Sequence, residues 1–340
     1  MTHRFPIKEI ARQAGLGTAT VDRVLNNRAY VSPQSRNRVA AALRELKAQE
    51  SQLASRGRSV ILDVIAEAPL RFCREIRIAA QAAASAMPGV AVRLRFQLQE
   101  TMTEAETLAA LARIAKRGSS GICLKARDTP PLRAAIADLA SARIPVFTLV
   151  TDLPGSARHG YFGLDNAEAG RTAAYLLAQS LPDDSATILT SRSQDAFRGE
   201  TDRFTAFRDL ITALKPAVRI IDASGGAGMT ATTSAQLDKI LTGRVRIDGV
   251  YSMGGGNAAI LRTMAAHGQR PRAFVAHDLD RENTQLLRNG AIGYVLHHDL
   301  GRDMATLFEA AINGASTAIP VASASSDLQI ITPYNLPRFA

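Results

Sequence analysis

The side chains in this 340-residue chain that are spaced for chemistry fall into two groups. The first lies in TATVDRVLN, residues 18–26. Here Thr18, Ala19, Asp22, Arg23 and Asn26 share one side of a predicted short helix, and Val21, Val24 and Leu25 take the other. Small polar residues in the first turn suit insertion into the DNA major groove, where long side chains would collide with base edges. The second group sits at the ends of short apolar runs. Thr151 and Asp152 follow PVFTLV, Asp165 closes YFGLD, His277 and Asp278 close AFVAHD, and His297, His298 and Asp299 close GYVLHH. Arg203 lies in a following helical stretch, and Phe72 follows the first run. A paired Arg and Asp offer forked donors and acceptors to vicinal hydroxyls, and an aromatic such as Phe72 can cover a ligand ring. The alternatives are structural: a salt bridge for Arg203 and Asp278, a turn for Thr151 and Asp152, a capped or solvated strand end for His297 and His298.

Catalytic patterns are missing. There is no G-x-S-x-G and no H-E-x-x-H or C-x-x-C, and the six histidines are scattered. Cys73 and Cys123 are isolated beside apolar neighbours, which predicts buried free thiols. The expectation is a protein with no enzymatic activity, no cofactor and no metal site. No apolar run of about 18 residues predicts a membrane span. MTHRFPIKEI lacks the apolar core of a secretory signal, so a cytoplasmic location without membrane partners is expected. Residues 1–59 hold 11 Lys and Arg against 4 Asp and Glu, which is +7 of the total net charge of +10. Charge concentrated this way is the footprint of a phosphate-contacting domain.

The elements that would position the first group are compact. Ile7, Ile10, Ala11 and Ala14 mark one face of a helix, Gly15 permits the left-handed backbone that ends it, and Leu16 packs into the turn. Ser32 is an N-cap with Pro33 in the first helical position, and Val39, Ala42, Leu43 and Leu46 form the stripe of a third helix. The arrangement I-x-x-I-A-x-x-A-G-x-x-x-x-T-V-x-R-V-L-N followed by V-S-P-x-S-R resembles the lactose-repressor (LacI/GalR) family of bacterial transcription regulators. The resemblance implies base reading by Thr18, Ala19 and Arg23. It implies phosphate contacts by Thr20, Asn26, Tyr30, Ser32 and Ser35, with Ile7 also counted in the DNA-contacting set. Asp22 departs from the family's usual Ser; it would either accept from a cytosine amine or orient Arg23. In the hinge, residues 49–59, Glu50 stands where the family has Pro and Gly57 where it has a minor-groove wedge Leu. Leu53 is the nearby apolar candidate, and the other reading is a polar linker.

From residue 60 onward apolar runs alternate with helical stretches, in two sets of five strands. VILDVIAEA, VRLRFQL, GICLKA, PVFTLVT and YFGLD come first, then ATILTS, VRIIDAS, GVYSM, AFVAHD and GYVLHH. Helices are predicted near 103–117, 130–142, 198–214, 229–243, 255–267, 281–289 and 300–313. Such alternation implies parallel sheets covered on both faces, with ligands beyond the carboxyl ends of the strands. IPVFTLVTDLP, GLDNAEAGRTAAYLL, R-x-x-A-F and the late H-D resemble the periplasmic sugar-binding-protein fold that forms the effector domain of the same family. The resulting expectation is an α/β chain: an all-α helix-turn-helix headpiece (1–48), a hinge (49–59) and a type I, two-subdomain body (60–340). The first subdomain takes 60–162 and 292–323, the second 163–291 and 324–340. By position, Arg203 and Asp278 match the family's ligand contacts, with Asp165 and His297 as weaker matches. SMGGGNAAI, residues 252–260, departs from the family. It is either a glycine-rich phosphate cradle or a tight turn with Asn257 donating to a neutral ligand, and SGGAG, 224–228, reads as a loop. The expected function is a homodimeric transcriptional regulator, a repressor, that binds double-stranded operator DNA under control of a sugar or polyol effector. The alternatives are a sugar-binding transport receptor and a sugar-metabolising enzyme.

Overall fold

A computed structural model describes residues 5–26, 28, 31–55, 59–182, 185–193, 197–243, 245–314 and 324–337. The chain separates into two compact units, Met1–Val60 with Ser85–Arg93, and Ile61–Ala84 with Leu94–Ala340.

In the first unit, α1 (Ile7–Ala14), α2 (Thr18–Leu25) and α3 (Pro33–Ser55) bury Phe5, Ile10, Ala11, Ala14, Val21, Val39, Ala42 and Leu46 in one core. Alanines at three of these positions leave room for close approach. Gly15 ends α1 at φ +60°, and the Leu16 N–H donates to Ala11 O at 3.0 Å, which satisfies a helix-end carbonyl. Gly15 O in turn accepts from Arg38 Nη2 at 3.1 Å, fixing the turn to α3. Ser32 Oγ accepts the Ser35 N–H at 3.1 Å and so starts α3. Ser32→Ala is expected to remove about 1 kcal/mol from the headpiece, read as a lower urea midpoint for its helical transition in the full chain. Within the expected hinge, residues 49–59, α3 continues to Ser55, so the polar-linker reading does not describe 49–55. Residues 40–55 contain no Gly or Pro and are rich in Ala, Leu, Glu, Gln and Lys, so nothing stops the helix there.

The second unit holds two six-stranded sheets. The first comprises β1 (Ser59–Glu67), β2 (Ala91–Gln99), β3 (Gly121–Lys125), β4 (Val146–Leu149), β5 (Gly160–Leu164) and β11 (Ala324–Ser326), in the order β11-β5-β4-β3-β1-β2. The second comprises β6 (Thr187–Ser191), β7 (Arg219–Asp222), β8 (Gly249–Ser252), β9 (Ala273–His277), β10 (Tyr294–His297) and β12 (Gln329–Ile331), in the order β12-β10-β9-β8-β6-β7. β1, β3, β4 and β5 pair in parallel, as do β6, β7, β8, β9 and β10; β12 is antiparallel to β10. Strands such as β3 and β4 are buried along their whole length, as strands covered on both faces must be. The covering helices include α4 (Leu70–Ala86), α5 (Glu104–Arg117), α6 (Pro130–Ser141), α7 (Asn166–Ser180), α8 (Arg198–Leu214), α9 (Thr230–Leu241), α10 (Asn257–Ala266), α11 (Arg281–Arg288) and α12 (Leu300–Gly314).

The chain crosses between the two lobes three times: between β5 and α7, between β10 and α12, and between β11 and β12. The subdomain limits read from sequence therefore shift. β10 belongs to the second sheet, and β5 and β11 in full belong to the first, because pairing partners rather than local composition decide sheet membership. Cys73 and Cys123 are buried free thiols, and burial pushes the Cys123 thiol up to about 12.

Candidate functional site

The carboxyl ends of strands from both sheets face a cleft of about 740 Å³, open mouth included. The first lobe contributes Glu67, Phe72, Glu100, Lys125, Val150 and Thr151. The second contributes Ser193, Phe197, Glu200, Arg203, Met253 and His277, together with Asp278, Asp280 and Asn283. Two strand-end residues adopt left-handed backbone, Val150 at φ +66° and Asp278 at φ +63°. At Val150 the Thr151 N–H folds back to Leu149 O at 2.7 Å. A β-branched residue in this conformation is strained, and such strain collects at binding sites.

Arg203 is only 3% exposed. Its Nε donates to Asn166 Oδ1 at 2.7 Å and its Nη1 to Met253 O at 3.2 Å. Asn166 Nδ2 donates onward to Tyr161 Oη at 3.1 Å, and the Tyr161 hydroxyl donates to Leu164 O at 2.8 Å. This chain runs through the first lobe crossing. A second network begins at Asp278, whose Oδ1 is buried without a hydrogen-bond partner among the described residues. It lies 3.7 Å from His298 Nε2, and His298 Nδ1 is 2.5 Å from Asp303 Oδ2. Ser326 Oγ donates to Asp303 Oδ1. His298 and Ser326 stand at the second and third crossings. Both networks thus join the cleft floor to the connections between the lobes.

Lys125 is buried. Its Nζ donates to Glu67 O at 2.8 Å and sits 3.9 Å from the Phe197 ring centre, a cation–π contact across the cleft. Burial lowers its pKa, while Glu200 and Glu67 act against that shift. Glu67 is held by Arg127 Nε at 2.9 Å and Nη2 at 2.5 Å, and Glu200 accepts from Ser193 N and Oγ, both at 2.5 Å. His277 Nε2 lies 2.9 Å from Tyr251 Oη, and its Nδ1 has no partner among the described residues. Burial, with help from Arg203 and His298, holds its pKa well below the usual imidazole range, so the ring is neutral near pH 7.

Of the residues expected from sequence, Phe72, Thr151, Arg203 and Asp278 line the cleft. The other four do not. Asp152 is bound by Arg158, with Nη2 at 2.6 Å from Oδ2, and also accepts from Thr148 Oγ1, which makes it a turn anchor. Asp165 is exposed and caps α7, accepting the Glu168 N–H at 2.9 Å. Asn257 lies behind the wall, donating to Asn283 Oδ1 at 2.7 Å. His297 Nδ1 accepts the Leu279 N–H at 3.2 Å, and the residue is not among those that line the cleft. Sequence reasoning marked His277 as closing AFVAHD without giving it a ligand role, and missed Lys125 and Glu200. The signal for Lys125 was available, as a lysine closing the otherwise apolar run GICLK.

On the headpiece, Thr18, Ala19, Arg23 and Asn26 are exposed along α2, Thr20 and Asp22 are half-buried, and Ser32 and Ser35 stand at the start of α3. Ile7 is half-buried against the headpiece core, so it acts first in packing. Tyr30 and the side chain of Leu53 lie outside the described residues. Among the described residues Asp22 pairs with Asn26 and Arg28 rather than with Arg23. Its Oδ1 accepts from Asn26 Nδ2 at 2.8 Å and its Oδ2 lies 3.4 Å from Arg28 Nη1. Among the described residues Arg23 makes no ion pair, which leaves its guanidinium presented to solvent.

Among the described residues no helix is long and apolar enough to cross a membrane, and no group of three or more His, Cys, Asp or Glu could hold a metal ion. A helix-turn-helix headpiece joined in one chain to a two-lobed α/β body with an interlobe cleft defines a protein of the periplasmic-binding-protein fold carrying a regulator's DNA-binding module. Residues 65–316 match the periplasmic binding protein domain, the family to which the chain belongs, and residues 6–47 match the bacterial regulatory proteins of the lacI family. It is similar to the HTH-type transcriptional regulator TreR of Salmonella typhimurium, 44% identical over 61 residues, a match covering 17% of this chain and 19% of that relative's length. The fold is shared with GanP, a glucose-galactose binding protein from Geobacillus stearothermophilus, at 17% identity and a TM-score of 0.73 over 82% of this chain and 99% of that one. It is also shared with an ABC transporter solute binding protein from Burkholderia graminis in complex with D-arabinose, at 15% identity and a TM-score of 0.73 over 81% and 96%.

Proposed function

We propose that the chain is a transcriptional regulator whose DNA binding responds to a small polyhydroxylated ligand, a sugar or polyol, in the interlobe cleft. The observation that carries this reading is the union of a basic helix-turn-helix with a cleft whose floor is hydrogen-bonded through Arg203 to the first lobe crossing and meets the other two through the Asp278–His298 contact at 3.7 Å. Ligand contacts to Arg203 and Asp278 would act directly on the connections between the lobes, and a change in lobe orientation is a two-state element that can couple to the headpieces. Hydroxyl ligands suit the mixture of buried donors and acceptors, and Phe72 supplies apolar cover. A homodimer reading a near-palindromic site through two headpieces is the arrangement that suits such a module.

The test is selection of DNA from a random pool by the full chain, followed by measurement of affinity for the selected site with and without sugars and polyols. Failure to enrich any sequence removes the regulator reading, and mass spectrometry showing a converted ligand would make the body an enzyme. Arg23→Ala is expected to weaken specific binding by about 1–3 kcal/mol and to relax preference at one base position. Thr20→Ala should weaken all sites about equally, the mark of a phosphate contact.

A further inference from the structure

We propose that Arg71 is a latch across the cleft, received by the glycine-rich loops 224–228 and 252–256, which holds the lobes together before a ligand arrives. The inference rests on the reading of the cleft as a ligand site and assigns the two loops a task within it. Arg71 belongs to α4 of the first lobe. Its Nη1 donates to Gly228 O at 3.1 Å and its Nε lies 3.0 Å from Asp280 Oδ2, both in the second lobe. Asp280 is 8% exposed and caps α11 by accepting the Asn283 N–H at 2.8 Å, so the carboxylate that meets the guanidinium is fixed in place.

The glycines are what let the guanidinium in. A Cβ on Gly255, at φ +86°, would fall 1.7 Å from Arg71 Nη2. A Cβ on Gly228, at φ +66°, would fall 2.5 Å from Gly254 O and 3.1 Å from Pro69 Cγ. The polarity of the receptacle is also opposite to that of a phosphate cradle, in which loop N–H groups converge on the anion. Here the N–H groups of Gly225, Ala227 and Met229 are spent on Arg192 O, Ser193 O and Gly226 O, and the Gly254 N–H on Ser191 O. What the loop offers inward is the Gly228 carbonyl, with the Asp280 carboxylate beside it. The glycine pattern therefore serves a cation supplied by the chain itself, and Arg71 is already committed to Gly228 O and Asp280.

Hydrogen exchange of the full chain without ligand tests the latch. Arg71→Ala should speed exchange of amides in 224–229 and 252–257 on the order of tenfold, with α5 unchanged as the internal sign of an intact fold. Arg71→Lys, which keeps the charge and loses the fork, should fall between. Asp280→Asn can still cap α11, and it should give the same acceleration, with the double variant no faster than the faster single one. Unchanged exchange in both loops for Arg71→Ala, or fully additive effects in the double variant, overturns the proposal. Either result would leave DNA selection by the wild-type chain standing, so loss of the latch and loss of the regulator reading are separate outcomes.

Discussion

Arg203→Ala is expected to lower the melting temperature of the body by roughly 6–12 °C and to abolish the response to ligand. The side chain is buried and its guanidinium spans two acceptors, Asn166 Oδ1 and Met253 O. Removing it strands both, and the stranded groups together with the lost packing cost about 3 kcal/mol. The loss is located at a crossing: Asn166 starts α7 directly after β5 and would keep only its contacts to Tyr161 and Leu164 O. The variant therefore tests more than a ligand contact. Arg203→Lys separates the two roles, since it keeps a donor in the cleft but cannot bridge both acceptors. It should lose most ligand affinity with roughly half the thermal penalty. Thermal unfolding followed by circular dichroism, with and without a binding sugar, reads both quantities. A wild-type melting temperature for Arg203→Ala would mean that the two hydrogen bonds contribute nothing to the body.

The cleft was only partly legible in the chain, and the failures share a physical cause. The central strands, such as β3, β4, β5, β8 and β9, were readable because strands covered on both faces must be apolar over several residues. β11 and β12 were not, because three residues such as ASS or QII carry no periodic signal. Strand-end position found Phe72, Thr151 and Asp278, and Arg203 was found from its place in the helix that follows a strand. It could not separate Asp278 from Asp152, since both acids close an apolar run. The difference is Arg158, which neutralises Asp152, whereas Asp278 Oδ1 is left without a hydrogen-bond partner among the described residues. Asp165 was better marked, because D-N-A-E is a capping signature and the side chain does cap α7. The glycine loops were the hardest case. Their partner, Arg71, is 157 residues from Gly228 in the chain, and only the fold brings the two together.

Gly170→Ala should be more damaging than its size suggests, lowering body stability by about 3 kcal/mol or more and weakening ligand binding without touching the ligand. Gly170 lies in α7 among the buried alanines Ala169, Ala173 and Ala174, where α8 makes its closest approach. A Cβ there would stand 2.2 Å from Arg203 O, 3.0 Å from Arg203 C and 3.1 Å from its Cα. All three are backbone atoms, so no rotamer change relieves the clash and the helices must separate. The residue at the contact is Arg203 itself. Moving α8 outward draws its Nε from Asn166 and draws Glu200, one turn earlier, from Ser193. A single methyl group on the far side of α7 would therefore disorganise the cleft floor. Gly89→Ala provides the contrast. That glycine has φ +73° but nothing within 4 Å of the added atom, so only the backbone cost of about 1–2 kcal/mol applies and ligand affinity should hold. A Gly170→Ala protein that melts within a degree of the wild type, or that binds ligand normally, would show that α8 does not owe its position to this contact.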